Sequence, residues 1–161
     1  NAARLAKRLV ERATGCGMHK GEVWQTRGAV LLELGDCEHA AVEFQRCVDT
    51  HTSAAYDSYC HSLIGVAKNT CGDLAGAEEA FNRATAHPDS SANSLSNAAN
   101  FFLKSTDPKH REKAVLLHRR AVAKDPKHPL LINNLANALE ITGDLRQAEQ
   151  LYAKALSLAP H

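Results

Sequence analysis

Three Gly-Asp pairs punctuate this chain, Gly35-Asp36, Gly72-Asp73 and Gly143-Asp144, and the residues after them repeat. Four residues after each Asp stands an alanine: Ala40, Ala77 and Ala148. Four beyond that stands an aromatic ring: Phe44, Phe81 and Tyr152. Glycine can take the left-handed conformation that ends a helix, and an Asp behind it can cap the free amides that begin the next. An alanine and a ring four apart share one face of that next helix. Each unit therefore reads as a helical hairpin. A fourth copy lacks the Gly-Asp pair but keeps Ala114, His118, Ala121 and Pro126, at the same mutual spacing as Ala148, Tyr152, Ala155 and Pro160. The steps from Ala40 to Ala77 and from Ala77 to Ala114 are each longer by three than the step from Ala114 to Ala148, so two repeats carry three extra residues. One insertion is expected in the turn Thr106-Asp107-Pro108-Lys109, where Asp107 can cap and Pro108 can take the first helical position. The other is expected in the loop near Thr52 to Asp57.

On these residues the chain resembles the tetratricopeptide repeat (TPR) family, whose unit of about 34 residues runs W-x2-L-G-x2-Y, then A-x3-F, A and P. The first repeat offers Trp24, Gly28, Leu31, Ala40 and Phe44, with Arg27 at the usual Leu position, its stem expected on the core and its head in water. The second offers Ile64, Gly65, Ala77, Phe81 and Ala84. The third offers Leu95, Ala98, Ala99, Phe102 and Ala114, with His118 where a ring is usual. The fourth offers Ile132, Leu135, Ala136, Leu139, Ala148, Tyr152, Ala155 and Pro160. Ala6, Val10 and Ala13 lie one repeat period before Ala40, Phe44 and Cys47, so the chain is expected to open on the second helix of a preceding repeat. The implied organisation is a single array: residues 1–20, then repeats at 21–54, 55–91, 92–128 and 129–161. The fold class is all-α, a right-handed superhelical solenoid of antiparallel hairpins, with nine helices and turns near Gly35, Gly72, Ser105 to Lys109 and Gly143. Each hairpin buries its apolar face by stacking on the next. The last is accordingly expected to expose Leu145, Leu151 and Leu156, toward a further repeat or an intermolecular contact.

In this family the first helices line a concave groove that holds peptides. The resemblance places Asn93, Ser96, Asn97, Asn100 and Lys104 of the third repeat on that surface, and Leu130, Asn133, Asn134, Asn137 and Ile141 of the fourth. Asn97 with Asn100, and Asn134 with Asn137, are three apart and share a helix face. An Asn amide is both donor and acceptor, so it can grip a peptide unit by its C=O and N–H without demanding a particular side chain. Asn is a mediocre helix former, so repeating it in phase has a cost that Gln or Lys would avoid. The expected peptide-binding set is Asn93, Asn97, Asn100, Lys104, Asn133, Asn134 and Asn137. The segment Asn134-Leu135-Ala136-Asn137 is similar to repeats in the arm of O-linked N-acetylglucosamine transferase, where an asparagine ladder holds substrate chains. The family's clamp for carboxylate tails has Lys and Asn on the first repeat and Lys and Arg on the third, where Gln25, Ala29, Asn93 and Asn97 stand here, and is disfavoured for want of positive charge.

Lys and Arg number 19 against 18 acidic residues, which argues against a general nucleic-acid binder. A local basic stripe runs from Lys104 to Lys127, read first as a solvated helix face and second as a dock for an acidic partner. No apolar run reaches the ~20 residues of a membrane helix. Cys16, Cys37, Cys47, Cys60 and Cys71 form no CxxC pair, so five free thiols, a reducing intracellular compartment and no metal are expected. Neither a phosphate loop nor a nucleophile elbow occurs, and no cofactor or catalytic residue is expected. The expected function is a non-catalytic module that binds an extended protein or peptide segment. Two alternatives stand beside it: the recognition arm of a TPR-containing enzyme such as a glycosyltransferase, and a scaffold segment in a larger complex or a chain with additional repeats.

Overall fold

A computed structural model of the chain describes residues 20–50 and 53–158, together with Arg8. Eight helices fill the described residues: α1 (Lys20–Glu33), α2 (Cys37–Asp49), α3 (Ala54–Thr70), α4 (Leu74–Ala86), α5 (Ala92–Leu103), α6 (Pro108–Lys124), α7 (Pro129–Thr142) and α8 (Leu145–Leu158). No strand occurs among them. The ninth expected helix, at residues 1–20, lies outside the described residues apart from Lys20 and Arg8. The chain divides into two compact units, Asn1–Asp89 and Ser90–His161, and each is built of paired helices.

The Gly-Asp pairs do two jobs at once. Gly35, Gly72 and Gly143 have φ of 81°, 82° and 95°, the left-handed region. Each puts the following Asp amide onto a carbonyl five residues back: Asp36 on Leu31 at 2.8 Å, Asp73 on Lys68 at 2.9 Å, Asp144 on Leu139 at 2.9 Å. Each carboxylate then accepts an amide of the next helix, from His39 at 3.3 Å, Gly76 at 2.9 Å and Gln147 at 3.2 Å. Carbonyls at one helix end and amides at the next are thereby satisfied by two residues.

The extra residues of the third repeat fall at the expected Asp107-Pro108 helix start, and the second repeat's first helix is also long. In the second repeat α3 runs 17 residues, Ala54–Thr70. Measured from Ala114 and Ala148, α6 begins three residues earlier than α8, 17 residues against 14. Three residues are most of one turn. Asp107 caps the lengthened α6 by accepting the Lys109 amide at 2.9 Å, and Pro108 occupies its first turn.

Within the first unit, Phe44, Leu31, Ala40, Ile64, Ala67 and Ala80 form a buried cluster, with Val30, Leu63 and Val48 against it. Gly28 and Gly65 let the first helices close on the rings of the second. A Cβ on Gly65 would lie 2.8 Å from the buried Phe81 ring. Gly65→Ala should therefore lower stability by about 1–2 kcal/mol: overpacking costs about 1–3 kcal/mol, against about 1 kcal/mol of helix propensity gained. Urea unfolding reads this, and Phe81→Leu in the same chain should restore part of the loss. In the second unit Leu135, Leu139 and Ala148 are buried together, with Val115, Val122, Leu151 and Tyr152 packed on them.

The structure corrects two expectations. The head of Arg27 does not simply reach water: its Nε lies 3.3 Å from the buried Glu43 carboxylate, which also takes Arg46 at 3.0 Å. A polar head at a core position finds a carboxylate because an unpaired buried charge is costly. The cysteines are not five free thiols. Cys37 pairs with Cys71 and Cys47 with Cys60, with Cα–Cα distances of 5.7 and 6.0 Å, inside the range a disulfide spans. Hairpin stacking explains both pairings. Cys37 opens α2 and Cys71 caps α3, so they meet at neighbouring turns, while Cys47 and Cys60 are buried where α2 and α3 pack. Cys16 lies outside the described residues. The compartment follows from none of this.

Candidate functional site: an amide row on two first helices

The second unit brings α5 and α7, the first helices of successive hairpins, into direct contact. Helical spacing places the predicted residues on matching faces, with Asn97 and Asn134, and Asn100 and Asn137, at equivalent positions of the two repeats. Exposure then separates them into two rows. Asn93, Asn100, Asn133 and Asn137 are exposed, whereas Asn97 and Asn134 are half-buried. The Asn134 amide donates to Ser96 Oγ across the helix pair at 3.2 Å. That bond uses a buried serine hydroxyl to tie α7 to α5 at one register. Asn134 is thus partly spent on the wall, and the outer amides are the groups turned to solvent. Lys104 caps α5 and is exposed, beyond Asn100.

At one end of this row is an open apolar cavity of about 480 Å³, lined by Pro129, Leu130 and Asn133 of α7 and Tyr152, Ala155 and Leu156 of α8. Leu130 and Leu156 are 60% and 72% exposed. The Tyr152 hydroxyl is not presented to the cavity as a free donor, because it donates to Glu140 Oε2 at 2.7 Å. That bond holds its pKa above the ordinary tyrosine value, with burial and the Glu140 charge adding to it. Leu145 is also exposed, as expected of the last hairpin, while Leu151 is half-buried against the core.

The first unit carries a polar cluster that the sequence reading did not single out. Gln25 of α1 donates through Nε2 to the Tyr59 hydroxyl at 3.0 Å and accepts from the Tyr56 hydroxyl at 3.4 Å. The two rings on α3 meet edge to face at 6.2 Å. Burial raises the Tyr56 pKa, and the charges of Glu22 and Tyr59 raise it further. The only local signal was that Tyr56 stands one helical turn before Tyr59, because Gln25 and Tyr59 are not at equivalent repeat positions.

Among the described residues no group of three or more His, Cys, Asp or Glu side chains is placed to hold a metal ion. No helix among them is long and apolar enough to cross a membrane.

Known proteins carry the same architecture. The tetratricopeptide repeat profile matches residues 119–150, the second helix of the third hairpin through α8. A TPR repeat-containing protein of Pseudomonas aeruginosa is 41% identical over 61 residues, which is 37% of this chain and 53% of that protein. The matched stretch spans about half the length of that relative. Among solved structures, BtubC from P. vanneervenii superposes with a TM-score of 0.76 at 18% identity, over 98% of this chain and 72% of that one. Pseudomonas aeruginosa pilF gives 0.71 at 22% identity, over 86% and 61%. MamA from Desulfovibrio magneticus gives 0.67 at 17% identity, over 98% and 95%. At such identities these structures speak for the fold. Capping at the turns and these matches agree on an all-helical array of hairpins of the kind tetratricopeptide repeat structures show, and residues 119–150 match the tetratricopeptide repeat model itself.

Proposed function

We propose that this chain is a non-catalytic interaction module whose second unit holds an extended segment of a protein partner along α5 and α7. The observation that supports the reading is the in-phase pair of exposed amides, Asn100 and Asn137, on two contacting first helices, flanked by Asn93 and Asn133. Each amide can bond one C=O and one N–H of a ligand backbone. Helices about 10 Å across set the rungs, and an extended chain advances about 3.3–3.6 Å per residue, so roughly three ligand residues pass each rung. Beneath the outer row lie the half-buried Asn97 and Asn134, the latter tying α7 to α5 through Ser96, and Lys104 stands at the row's far end. The cavity beside Leu130 and Leu156 suits an apolar side chain of the same segment. The likeness of residues 134–137 to the asparagine-ladder arm of O-linked N-acetylglucosamine transferase supports a backbone-holding role, and it assigns no catalytic residue here.

The test is a screen of a displayed peptide library on the full chain, followed by titration of the selected peptides. Each amide–backbone bond contributes about 0.5–1.5 kcal/mol net, so Asn100→Ala with Asn137→Ala should weaken binding by at least about tenfold. Both positions are exposed and Ala is the better helix former, so thermal stability should hold or rise slightly. Neutral amides carry the contact, so affinity should change little with salt. Selected peptides that bind the double variant as well as the parent would refute the reading.

A further inference from the structure

α6 is a basic helix in a nearly neutral chain. Its 17 residues carry six Lys or Arg against the single Glu112, while the whole chain has a net charge of +1. At 100° per residue, Lys109, Lys113, Leu116, Arg119, Arg120 and Lys124 fall within about 140° of one another, an arc that also holds the exposed Glu112. Lys109, Leu116, Arg119, Arg120 and Lys124 are all exposed, and Leu116, at 62%, stands in the middle of the face. The opposite face, Ala114, Leu117, His118 and Ala121, is buried. Some of the cations also serve the fold. The Lys113 ammonium lies 4.1 Å from the centre of the Phe102 ring, and Arg119 donates to Gln147 of α8 at 2.9 Å. Lys109, Lys124 and the remainder of the Arg119 guanidinium carry the argument.

An ordinary solvated helix face mixes signs, as α4 does with Glu79 and Arg83 at 2.6 Å. On α6 the four-residue pairs Lys109 with Lys113, and Arg120 with Lys124, are like-charged and oppose helix formation. Lys109 and Arg111 also stand near the positive end of the helix dipole, where anions are the stabilising charges. A face of five cations with one carboxylate, Glu112, around one exposed leucine has the form of an apolar anchor within a mainly positive ring of charge.

We infer that this face of α6 is a second docking surface, separate from the amide row, for an acidic protein segment that also carries apolar side chains. Charge complementarity selects an acidic partner, and Leu116 selects one with an apolar residue to cover it. A nucleic acid fits less well, because the exposed face has no aromatic ring for a base to stack on. A bilayer fits less well, because one leucine is not the broad apolar face an interfacial helix needs.

The probe is a short labelled peptide of alternating Glu and Leu, titrated against the full chain, with its Lys and Leu counterpart as control. Binding to the acidic peptide should fall about tenfold or more between low salt and about 0.5 M. The triple variant Lys109→Glu, Arg119→Glu, Lys124→Glu should lose binding by a similar factor, with helicity checked by circular dichroism. Leu116→Asn, an exposed substitution that leaves the charges alone, should weaken it several-fold and so covers the case in which the triple variant misfolds. Asn100→Ala with Asn137→Ala should leave it unchanged, which separates this surface from the amide row. Equal affinity for the control peptide, or indifference to Leu116→Asn and to the triple variant, overturns the inference. Tighter binding of single-stranded oligouridylate or phosphatidylserine vesicles, lost in the same triple variant, overturns the assignment to a protein partner.

Discussion

Reducing the two disulfides should cost the first unit about 6–7 kcal/mol in all, the largest single change expected for this chain. Cys37–Cys71 closes a loop of 34 residues and Cys47–Cys60 one of 13. In the chain-entropy account, crosslinks of these lengths stabilise by about 3–4 and about 3 kcal/mol by restricting the unfolded chain. Trp24 is the sole tryptophan and lies in this unit, so its fluorescence reports the unit without interference from the other. Urea unfolding followed through Trp24 should shift to markedly lower denaturant on adding reductant. Alkylation without reductant should leave Cys37, Cys47, Cys60 and Cys71 unmodified. Four modified cysteines and a midpoint indifferent to reductant would show that the pairs do not form. Replacing the more exposed pair alone, by Cys37→Ser with Cys71→Ser, should take about half of the effect and leave the buried pair intact.

Acid should weaken the second unit through His118, as it should the first, by a shift in the same direction, through His61. This imidazole is fully buried on α6 and neither ring nitrogen has a hydrogen-bond partner. Burial lowers its pKa from 6.5 to about 4, since a charged ring cannot be solvated there. Above the ordinary value both folded and unfolded chains hold a neutral ring, and pH has no leverage. As pH falls below about 6.5 the unfolded state takes a proton that the folded state refuses, and stability drops until the folded ring titrates near 4. Across that window the loss approaches about 3 kcal/mol, at about 1.36 kcal/mol per pKa unit. His118→Leu should flatten this dependence. At neutral pH it should also stabilise the unit by about 1–3 kcal/mol, because two unbonded ring nitrogens leave the core. Leu suits the site better than Phe: Ala99 stands here where Gly65 makes room for Phe81 in the preceding repeat. Circular dichroism against pH reads the stability, and the His118 ring protons report the titration. A ring titrating near its ordinary value, or a variant with the parent's pH profile, would contradict this.

Much of the fold was legible because its punctuation is local. Gly35, Gly72 and Gly143 announce left-handed helix ends, the Asp after each announces a cap, and Asp107-Pro108 announces a helix start by different chemistry. None of these needs knowledge of a distant residue. Contacts between hairpins were less legible, because only the packed neighbours decide them. Arg27 and the cysteines misled for a related reason. Glu43 lies on the helix after that of Arg27, and Cys71 lies 34 residues after Cys37, so each partner becomes a neighbour only once the hairpins form. The amide row was legible as a row, since its spacing is helical and its recurrence follows the repeat. Which amides face outward was not, because the bond from Asn134 to Ser96 depends on the distance between α5 and α7.

The central claim is that a partner's backbone lies on the outer amides of α5 and α7, and the side-chain NH₂ resonances of those asparagines test it most directly. Titrating a library-selected peptide into the isotope-labelled chain should move the NH₂ signals of Asn93, Asn100, Asn133 and Asn137. The signal of Asn134, already bonded to Ser96, should move less, and the backbone amides of Lys109, Leu116 and Lys124 should stay in place. A bound peptide that leaves all four outer amide signals unmoved, or that perturbs α6 alone, would contradict the claim.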